Sequence, residues 1–247
     1  MSDITTTNAR SVRAPRPWIV WLMAVLAMAA VLLSIFIPIP ERFRSKSKDP
    51  SQVVITPPTD DLAPEAIRVE LPEFKLTERN GQEVSRESLK GKVWIAAFVF
   101  TRCTMGCPSV TASMKQLQTE LKLADRDDLR LVTFTVDPER DNLDDLKKYA
   151  KTFQANETKW LFLTGEETAV RPLLKSGFKV TADRKAPGQA KPGDEFDHTT
   201  KLAVVDKKGR ICGYFDGKAS ERDPNGEQLQ RSLTRLKALV DQLVNEP

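Results

Sequence analysis

An uninterrupted apolar run, Val93–Thr101 (VWIAAFVFT), constrains the fold of this 247-residue chain more than any other feature. The run is rich in β-branched and aromatic residues and shows no polar alternation, which is typical of a strand covered on both faces. A helical pattern follows it, with Val110, Met114, Leu117 and Leu121 at steps of four, three and four. Because such a strand must be flanked by other strands and covered by helices, the chain is expected to form a layered α/β domain.

The alternation of strand and helix patterns continues to the end of the chain. The further predicted elements are a strand at Leu129–Val136, a helix at Leu143–Phe153, a strand at Trp160–Leu163, a hairpin of strands Lys201–Asp206 and Arg210–Phe215, and a helix at Leu229–Leu243. Residues 165–200 are predicted to form a loop. This order predicts a mixed sheet with helices on both faces, as in a thioredoxin-like domain.

The N-terminal part of the chain has a different character. Trp18–Ile39 contains no charged residue, and as a helix it would span about 33 Å, enough to cross a bilayer core. A cleaved signal peptide is the alternative, although the run lacks a small-x-small site at its end. The predicted division is therefore a short tail at 1–17, a single transmembrane anchor at 18–39, a proline-rich tether at 40–69 and the thioredoxin-like domain at 70–247.

The charge distribution argues against nucleic-acid binding. The formal net charge of the chain is +4, but residues 1–48 carry seven basic and two acidic residues, which leaves a net −1 on the remainder. A near-neutral domain has no basic face with which to hold a phosphate backbone.

Two cysteines stand at the junction of the first strand and the first helix. Cys103 and Cys107 lie in TRCTMGCPSV, where Pro108 is predicted to be the first helical residue and Cys107 its cap. A helix N-terminus lowers the pKa of a nearby thiol and favours the thiolate, which binds metals and attacks disulfides. We interpret the pair as a switchable dithiol; two unrelated buried cysteines are the alternative.

The chain contains one histidine, His198, in DEFDHTTKLAVVD. It directly precedes the strand expected beside Val93–Thr101, at the position where thioredoxin-like oxidoreductases usually carry a cis-proline. There it would face the cysteines. Two thiolates and one imidazole suit Cu(I), and could retain Cu(II) with an additional oxygen ligand. Zinc also accepts sulfur and nitrogen, but a closed structural site takes four protein ligands, and Cys212 is the candidate fourth.

Three further side chains are candidates for a role at this site. Cys212 lies inside the strand RICGYFD, where an ordinary core or edge thiol is the simpler interpretation. Met105, between the two cysteines, could offer a thioether to copper or have no role. Asp137, in TVDPERD, could orient a ligand, face a partner, or simply end its strand. Asp141 is predicted to cap the following helix.

These motifs together resemble the Sco/SenC family of membrane-tethered copper proteins. The likeness spans about residues 70–220 and rests on the anchor and tether, FVFTRCTMGCPSV, TVDPERDNLDDLKKYAKTF followed by WLFLTG, and DHTTKLAVVDKKGRICGYF. It implies a thioredoxin-like domain that binds one copper ion through Cys103, Cys107 and His198. Asp137 matches a family position considered important for the metal site or its partners. Thr104 is a departure, because proline commonly follows the first cysteine in that family.

The resemblance implies a copper chaperone that delivers copper to, or prepares, the copper centre of cytochrome c oxidase. The implied partners are the copper-bearing oxidase subunit and, beyond it, another copper carrier or a thiol–disulfide reductant. The alternative is a membrane-tethered thiol:disulfide oxidoreductase acting on cysteines of the acceptor protein, so enzymatic activity stays open. A structural zinc site or a metal-free adaptor is a third hypothesis. The expected location is a bacterial inner membrane with the domain in the periplasm, or alternatively the mitochondrial inner membrane facing the intermembrane space.

Overall fold

The computed structural model describes residues 68–186 and 188–246. The predicted tail, the predicted anchor and nearly all of the predicted tether lie outside these residues. Among the helices in the described ranges, none combines the length and the apolar character needed to cross a membrane.

The described chain forms ten strands and four α-helices. The strands are β1 (Val69–Glu70), β2 (Lys75–Glu78), β3 (Glu83–Ser85), β4 (Val93–Val99), β5 (Leu129–Thr135), β6 (Trp160–Thr164), β7 (Ala182–Arg184), β8 (Phe196–His198), β9 (Lys201–Val205) and β10 (Arg210–Asp216). The helices are α1 (Cys107–Glu120), α2 (Leu143–Thr152), α3 (Glu167–Pro172) and α4 (Glu227–Asn245). A π-helical segment, Leu173–Gly177, continues α3, and short 3₁₀ turns lie at Glu87–Leu89 and Leu123–Asp125.

Eight of these strands form one mixed sheet in the order β1-β10-β9-β4-β5-β6-β2-β3. Strands β4, β5 and β6 are parallel to one another, whereas β9 runs antiparallel to β4. The β7–β8 hairpin forms a separate two-stranded sheet. The predicted mixed α/β architecture is thus confirmed.

The core explains why β4 is apolar at every position. All seven residues of β4 are buried, although successive side chains point to opposite faces, so both faces of the strand are covered. On the sheet, Phe98 and Phe134 pack with rings 5.9 Å apart, and Phe178 lies 4.9 Å from Phe98 and 5.2 Å from Phe134. Trp94 meets Phe178 edge to face at 6.0 Å. This aromatic cluster supports the strand that leads to the cysteines.

The structure departs from the sequence prediction in two regions. Residues 165–200, predicted as a loop, contain α3, its π-helical continuation and the β7–β8 hairpin, and the short strands β1–β3 were not predicted. Each of these strands has four residues or fewer, too short to show a period, and forms by pairing with a distant neighbour or within a hairpin. In addition, α1 begins at Cys107 after Gly106, so Pro108 is its second residue and Cys107 is not the cap.

Candidate metal centre

The sheet topology brings the two cysteines and the histidine to one edge. Cys103 and Cys107 follow the carboxyl end of β4, while His198 ends β8, three residues before β9 begins. Because β9 runs antiparallel to β4, with Ala203 opposite Ala96, the start of β9 lies beside the end of β4. The predicted juxtaposition of the two loops is therefore observed.

The three side chains converge closely enough to share one ion. Their ligand atoms, two Sγ and one ring nitrogen, all lie within 4.8 Å of one another. Nε2 of His198 is 3.1 Å from Sγ of Cys107 and 4.0 Å from Sγ of Cys103. All three cysteines are free thiols. Within residues 68–186 and 188–246, no other group of His, Cys, Asp or Glu side chains is arranged to hold a metal ion.

The imidazole of His198 is oriented by its second nitrogen. Nδ1 lies 3.1 Å from the carbonyl oxygen of Phe196. A carbonyl can only accept a hydrogen bond, so Nδ1 is the donor and, in the neutral ring, Nε2 directs its lone pair at the sulfurs. Phe100 packs edge to face against the ring at 5.4 Å. The imidazole is thus fixed in the tautomer that a metal ligand requires.

Burial and hydrogen bonding give the thiols of Cys103 and Cys107 different pKa values. Cys103 is 5% exposed and Cys107 is fully buried. Hydrogen bonds to the Cys103 sulfur from Cys107, partly opposed by burial and helped by His198, lower the pKa of Cys103 to about 4. Burial raises the pKa of Cys107 above its ordinary value. Burial also acts to lower the pKa of His198, but the hydrogen bonds to Cys103 and Phe196 outweigh it and the pKa is raised. The metal-free site therefore favours one thiolate beside a proton-binding imidazole.

Asp137 is fully buried beside this loop and binds arginines. Its Oδ2 accepts from Arg102 at 2.6 Å and from Arg140 at 2.7 Å, and its Oδ1 accepts from Arg184 at 3.4 Å. Arg102 directly precedes Cys103 in the chain. Asp137 does not contribute to the metal-ligand group; it ties the cysteine loop to the end of β5 and to β7.

Asp141 is not the helix cap that the sequence indicated. The side chain of Asn142 caps α2 by accepting from the N–H groups of Asp144 and Asp145. Asp141 is instead fully buried and accepts from the backbone N–H and the hydroxyl of Thr101 and from the hydroxyl of Thr135. It therefore bridges the ends of β4 and β5 directly beneath the cysteine loop. The sequence around residues 141–144 indicated a helix N-cap, but no feature of these neighbouring residues indicated that the Asp141 carboxylate would be buried.

The two remaining candidates are Cys212, which lies far from the group of Cys103, Cys107 and His198, and Met105, which lies between the two cysteines in the chain. Cys212 adjoins Ile211, which is paired through Val205 with Trp94 at the start of β4. Because β4 is seven residues long, Cys212 lies about 20 Å along the sheet from the cysteine loop. There its sulfur accepts from Arg68 at 3.1 Å. Met105 is on the cysteine loop and is 62% exposed.

Comparison with known proteins identifies the family. The sequence profile described as SCO1/SenC matches residues 64–234. The chain belongs to the SCO1/SenC family. It is 35% identical over 152 residues to a SCO1 protein homolog of Bacillus subtilis, covering 61% of this chain and 76% of that protein. A candidate copper-binding protein of Stutzerimonas stutzeri is 32% identical over 147 residues, or 59% of this chain and 68% of that protein.

Solved structures of the family show the same fold. BsSco, described as a member of the Sco family of cytochrome c oxidase assembly proteins with a disulfide switch, aligns with a TM-score of 0.59 at 30% identity. The alignment covers 73% of this SCO1/SenC chain and 96% of BsSco. The described domain is therefore a thioredoxin-like domain of the Sco type.

The donor set of the site fits copper. Two sulfurs and one imidazole are the soft and borderline ligands that Cu(I) prefers, and three donors suffice for a trigonal ion. A closed structural zinc site takes four protein ligands. Since Cys212 lies at the other end of β4, it cannot complete such a site here.

Proposed function

We propose that this SCO1/SenC chain carries one copper ion on Cys103, Cys107 and His198 and gives it up to an acceptor protein during assembly of the copper centre of cytochrome c oxidase. The convergence of two sulfurs and a correctly oriented Nε2 within 4.8 Å carries this proposal. The names of the relatives, one given for copper binding and one for oxidase assembly, support it.

The site has the properties expected of a carrier rather than of a permanent metal site. Three protein ligands leave a trigonal ion open to attack by a ligand from another protein. His198 is partly exposed and Cys103 keeps 5% of its surface exposed, whereas Cys107 is fully buried at the start of α1. A thiol of an acceptor protein would therefore approach from the side of His198 and Cys103, while Cys107 would release the ion last.

Metal retention tests this proposal. The full-length chain, purified in mild detergent, reduced and loaded with Cu(I), is expected to keep about one equivalent of copper after gel filtration. His198→Ala and the double variant Cys103→Ser/Cys107→Ser should lose it, while Cys212→Ser serves as the matched cysteine control. Retention by the double variant equal to that of the parent would show that the ion is held elsewhere.

A second candidate function, thiol:disulfide exchange, is favoured by the low pKa of Cys103, about 4. The Cys103 thiolate would attack one sulfur of an acceptor disulfide and form a mixed disulfide. Cys107 would then attack Cys103, which leaves a Cys103–Cys107 disulfide and two reduced acceptor thiols. The disulfide switch described for BsSco supports such chemistry in a relative.

The two candidates differ in their need for the histidine. Copper carriage requires the His198 nitrogen as a ligand, whereas exchange requires only the two sulfurs. Exchange with a model disulfide is therefore expected to proceed in His198→Ala, at a rate changed only through the loss of the imidazole's contacts with the Cys103 and Cys107 sulfurs. If His198→Ala loses copper and keeps exchange, both activities reside in the same loop. If it loses both, the histidine has a role that simple exchange does not explain.

We further propose that Trp18–Ile39 anchors the chain in a bacterial inner membrane and that residues 40–69 tether the domain at 70–247 in the periplasm. The uncharged length of the anchor segment supports this arrangement. In sealed spheroplasts, externally added protease should digest the domain. Protection of the domain until the membrane is lysed would place it on the other side.

A further inference from the structure

The loop that carries the cysteines touches the hairpin that carries the histidine through a main-chain hydrogen bond. The N–H of Thr104 donates to the carbonyl oxygen of Gly193 at 2.9 Å. Gly193 lies in the connection between β7 and β8, and His198 is the last residue of β8. The Thr104 hydroxyl donates to the same carbonyl oxygen at a longer 3.4 Å. The main-chain bond thus joins a residue next to one proposed ligand to the hairpin that ends in another.

The two segments approach so closely that a side chain is excluded at Gly193 and would be crowded at Gly106. Gly193 is buried with φ +82°, and a Cβ there would lie 2.6 Å from Cγ2 of Thr104. At Gly106, a Cβ would lie 3.3 Å from Cγ2 of Thr200 and 4.0 Å from Nε2 of His198. Any side chain at Gly193 would therefore push the hairpin off the cysteine loop.

This contact matters because the hairpin is not part of the main sheet. Strands β7 and β8 pair only with each other in the described chain. The base of the hairpin is held by Phe196, whose ring lies 5.3 Å from that of Phe100. Arg171 donates to the carbonyl oxygen of Ala182, the residue paired with His198, at 2.7 Å, and Arg184 binds Asp137. These side-chain contacts hold the base of the hairpin, whereas the Thr104–Gly193 bond holds its connecting segment to the cysteine loop.

We propose that Thr104 and Gly193 are positioning residues that hold His198 against the two sulfurs, so that the imidazole can leave the ion only when this contact opens. The inference rests on the proposed copper carriage and adds to it a device that sets how readily the ion is released. Neither residue is a ligand. A proline at position 104 has no N–H and could not form the bond. With threonine at position 104, the hairpin that carries His198 is therefore held to the cysteine loop by a main-chain hydrogen bond that proline would not allow.

The decisive comparison uses two glycines of the same hairpin. Gly188 has φ +88°, similar to Gly193, but a Cβ there would have no neighbour within 4 Å. Gly188→Ala therefore carries the same backbone strain without the collision. The test is the rate at which a chelator removes copper from the full-length chain, loaded with one equivalent of Cu(I) in mild detergent. Gly193→Ala is expected to lose copper about tenfold faster than the parent, by analogy with other groups that orient a metal ligand, and Gly188→Ala to stay close to the parent.

Two further variants separate the collision from the hydrogen bond. Thr104→Gly keeps the N–H and removes the side chain that Gly193→Ala would strike, so the pair Thr104→Gly/Gly193→Ala should release copper more slowly than Gly193→Ala alone. Thr104→Val keeps the N–H and the branched shape and loses only the longer hydroxyl bond to Gly193. Thr104→Pro should therefore release copper faster than Thr104→Val. Equal rates for Gly193→Ala and Gly188→Ala, or no rescue in the double variant, would overturn the proposal.

A metal-free measurement keeps this inference separate from the proposed function. Hydrogen exchange of the peptide containing residues 101–107 should be faster in Gly193→Ala than in Gly188→Ala, because the hairpin no longer covers the cysteine loop. If the parent retains no copper at all, the proposed function fails while this comparison still reports on the contact. Equal exchange in the two variants would show that Gly193 does not hold the loop.

Discussion

Replacing Asp141 by alanine should destabilise the domain by about 3 kcal/mol. The carboxylate accepts from the N–H of Thr101 at 3.1 Å, from the hydroxyl of Thr101 at 2.6 Å and from the hydroxyl of Thr135 at 2.5 Å. Each buried donor left without an acceptor costs about 1–3 kcal/mol. The two hydroxyls can rotate toward other acceptors, whereas the backbone N–H cannot. Burial raises the pKa of Asp141, which shows that the buried charge is itself unfavourable. Removing this charge therefore offsets part of the loss in stability.

Urea unfolding of the metal-free, reduced chain measures this change. Asp141→Ala should lower the unfolding midpoint at an unchanged slope. Asp141→Asn is the graded control, because an amide oxygen in place of Oδ2 still accepts from the Thr101 N–H and the Thr135 hydroxyl, and an NH₂ group in place of Oδ1 can donate to the Thr101 hydroxyl. This variant should cost about 1 kcal/mol. An alanine variant as stable as the asparagine variant would refute the reasoning, since it would show that the donors find other acceptors at no cost.

Three further outcomes follow from the structure. In the reduced, metal-free chain, the ultraviolet absorbance of one thiolate should persist down to about pH 4 and disappear in Cys103→Ser; a midpoint near the ordinary value of 9.0 would contradict the hydrogen bonding at Cys103. Phe178→Ala should cost about 3–5 kcal/mol in urea unfolding, because its ring contacts Trp94, Phe98 and Phe134, and a loss below about 1 kcal/mol would mean that the cluster collapses to fill the space. Cys212→Ser should leave copper retention unchanged, and copper loss in that variant would place Cys212 at the metal site.

Much of the central architecture was predictable because its strands and helices are long enough to show a clear pattern of apolar residues. The apolar runs that form β4 and β5 are seven residues long, and the apolar stripe that forms α4 repeats over several helical turns. The short strands and the β7–β8 hairpin show no such period, and their residues become strands only by pairing or by packing onto other elements. The membrane anchor stays a prediction, since it lies outside the described residues.

The candidate ligands were visible in the sequence, but the parts that hold them were not. Cys103, Cys107 and His198 are rare residue types placed at strand ends, which is a local signal. Asp141 illustrates the opposite case. Its sequence context indicated a helix cap, yet the neighbouring Asn142 takes that role, and the hydroxyls of Thr101 after β4 and of Thr135 in β5 decide where the carboxylate goes.

The sequence by itself determined the layered α/β fold, the family and the types of ligand atom available, because apolar period and residue chemistry are properties of short segments. Only the tertiary structure decided that Nε2 rather than Nδ1 faces the sulfurs, since the carbonyl of Phe196 makes that choice. It also decided that the hairpin meets the cysteine loop at Gly193, where the main chains of Thr104 and Gly193, 89 residues apart, form a hydrogen bond. Hydrogen bonds between backbones distant in the chain leave no pattern in either segment, so the folded domain alone determines them.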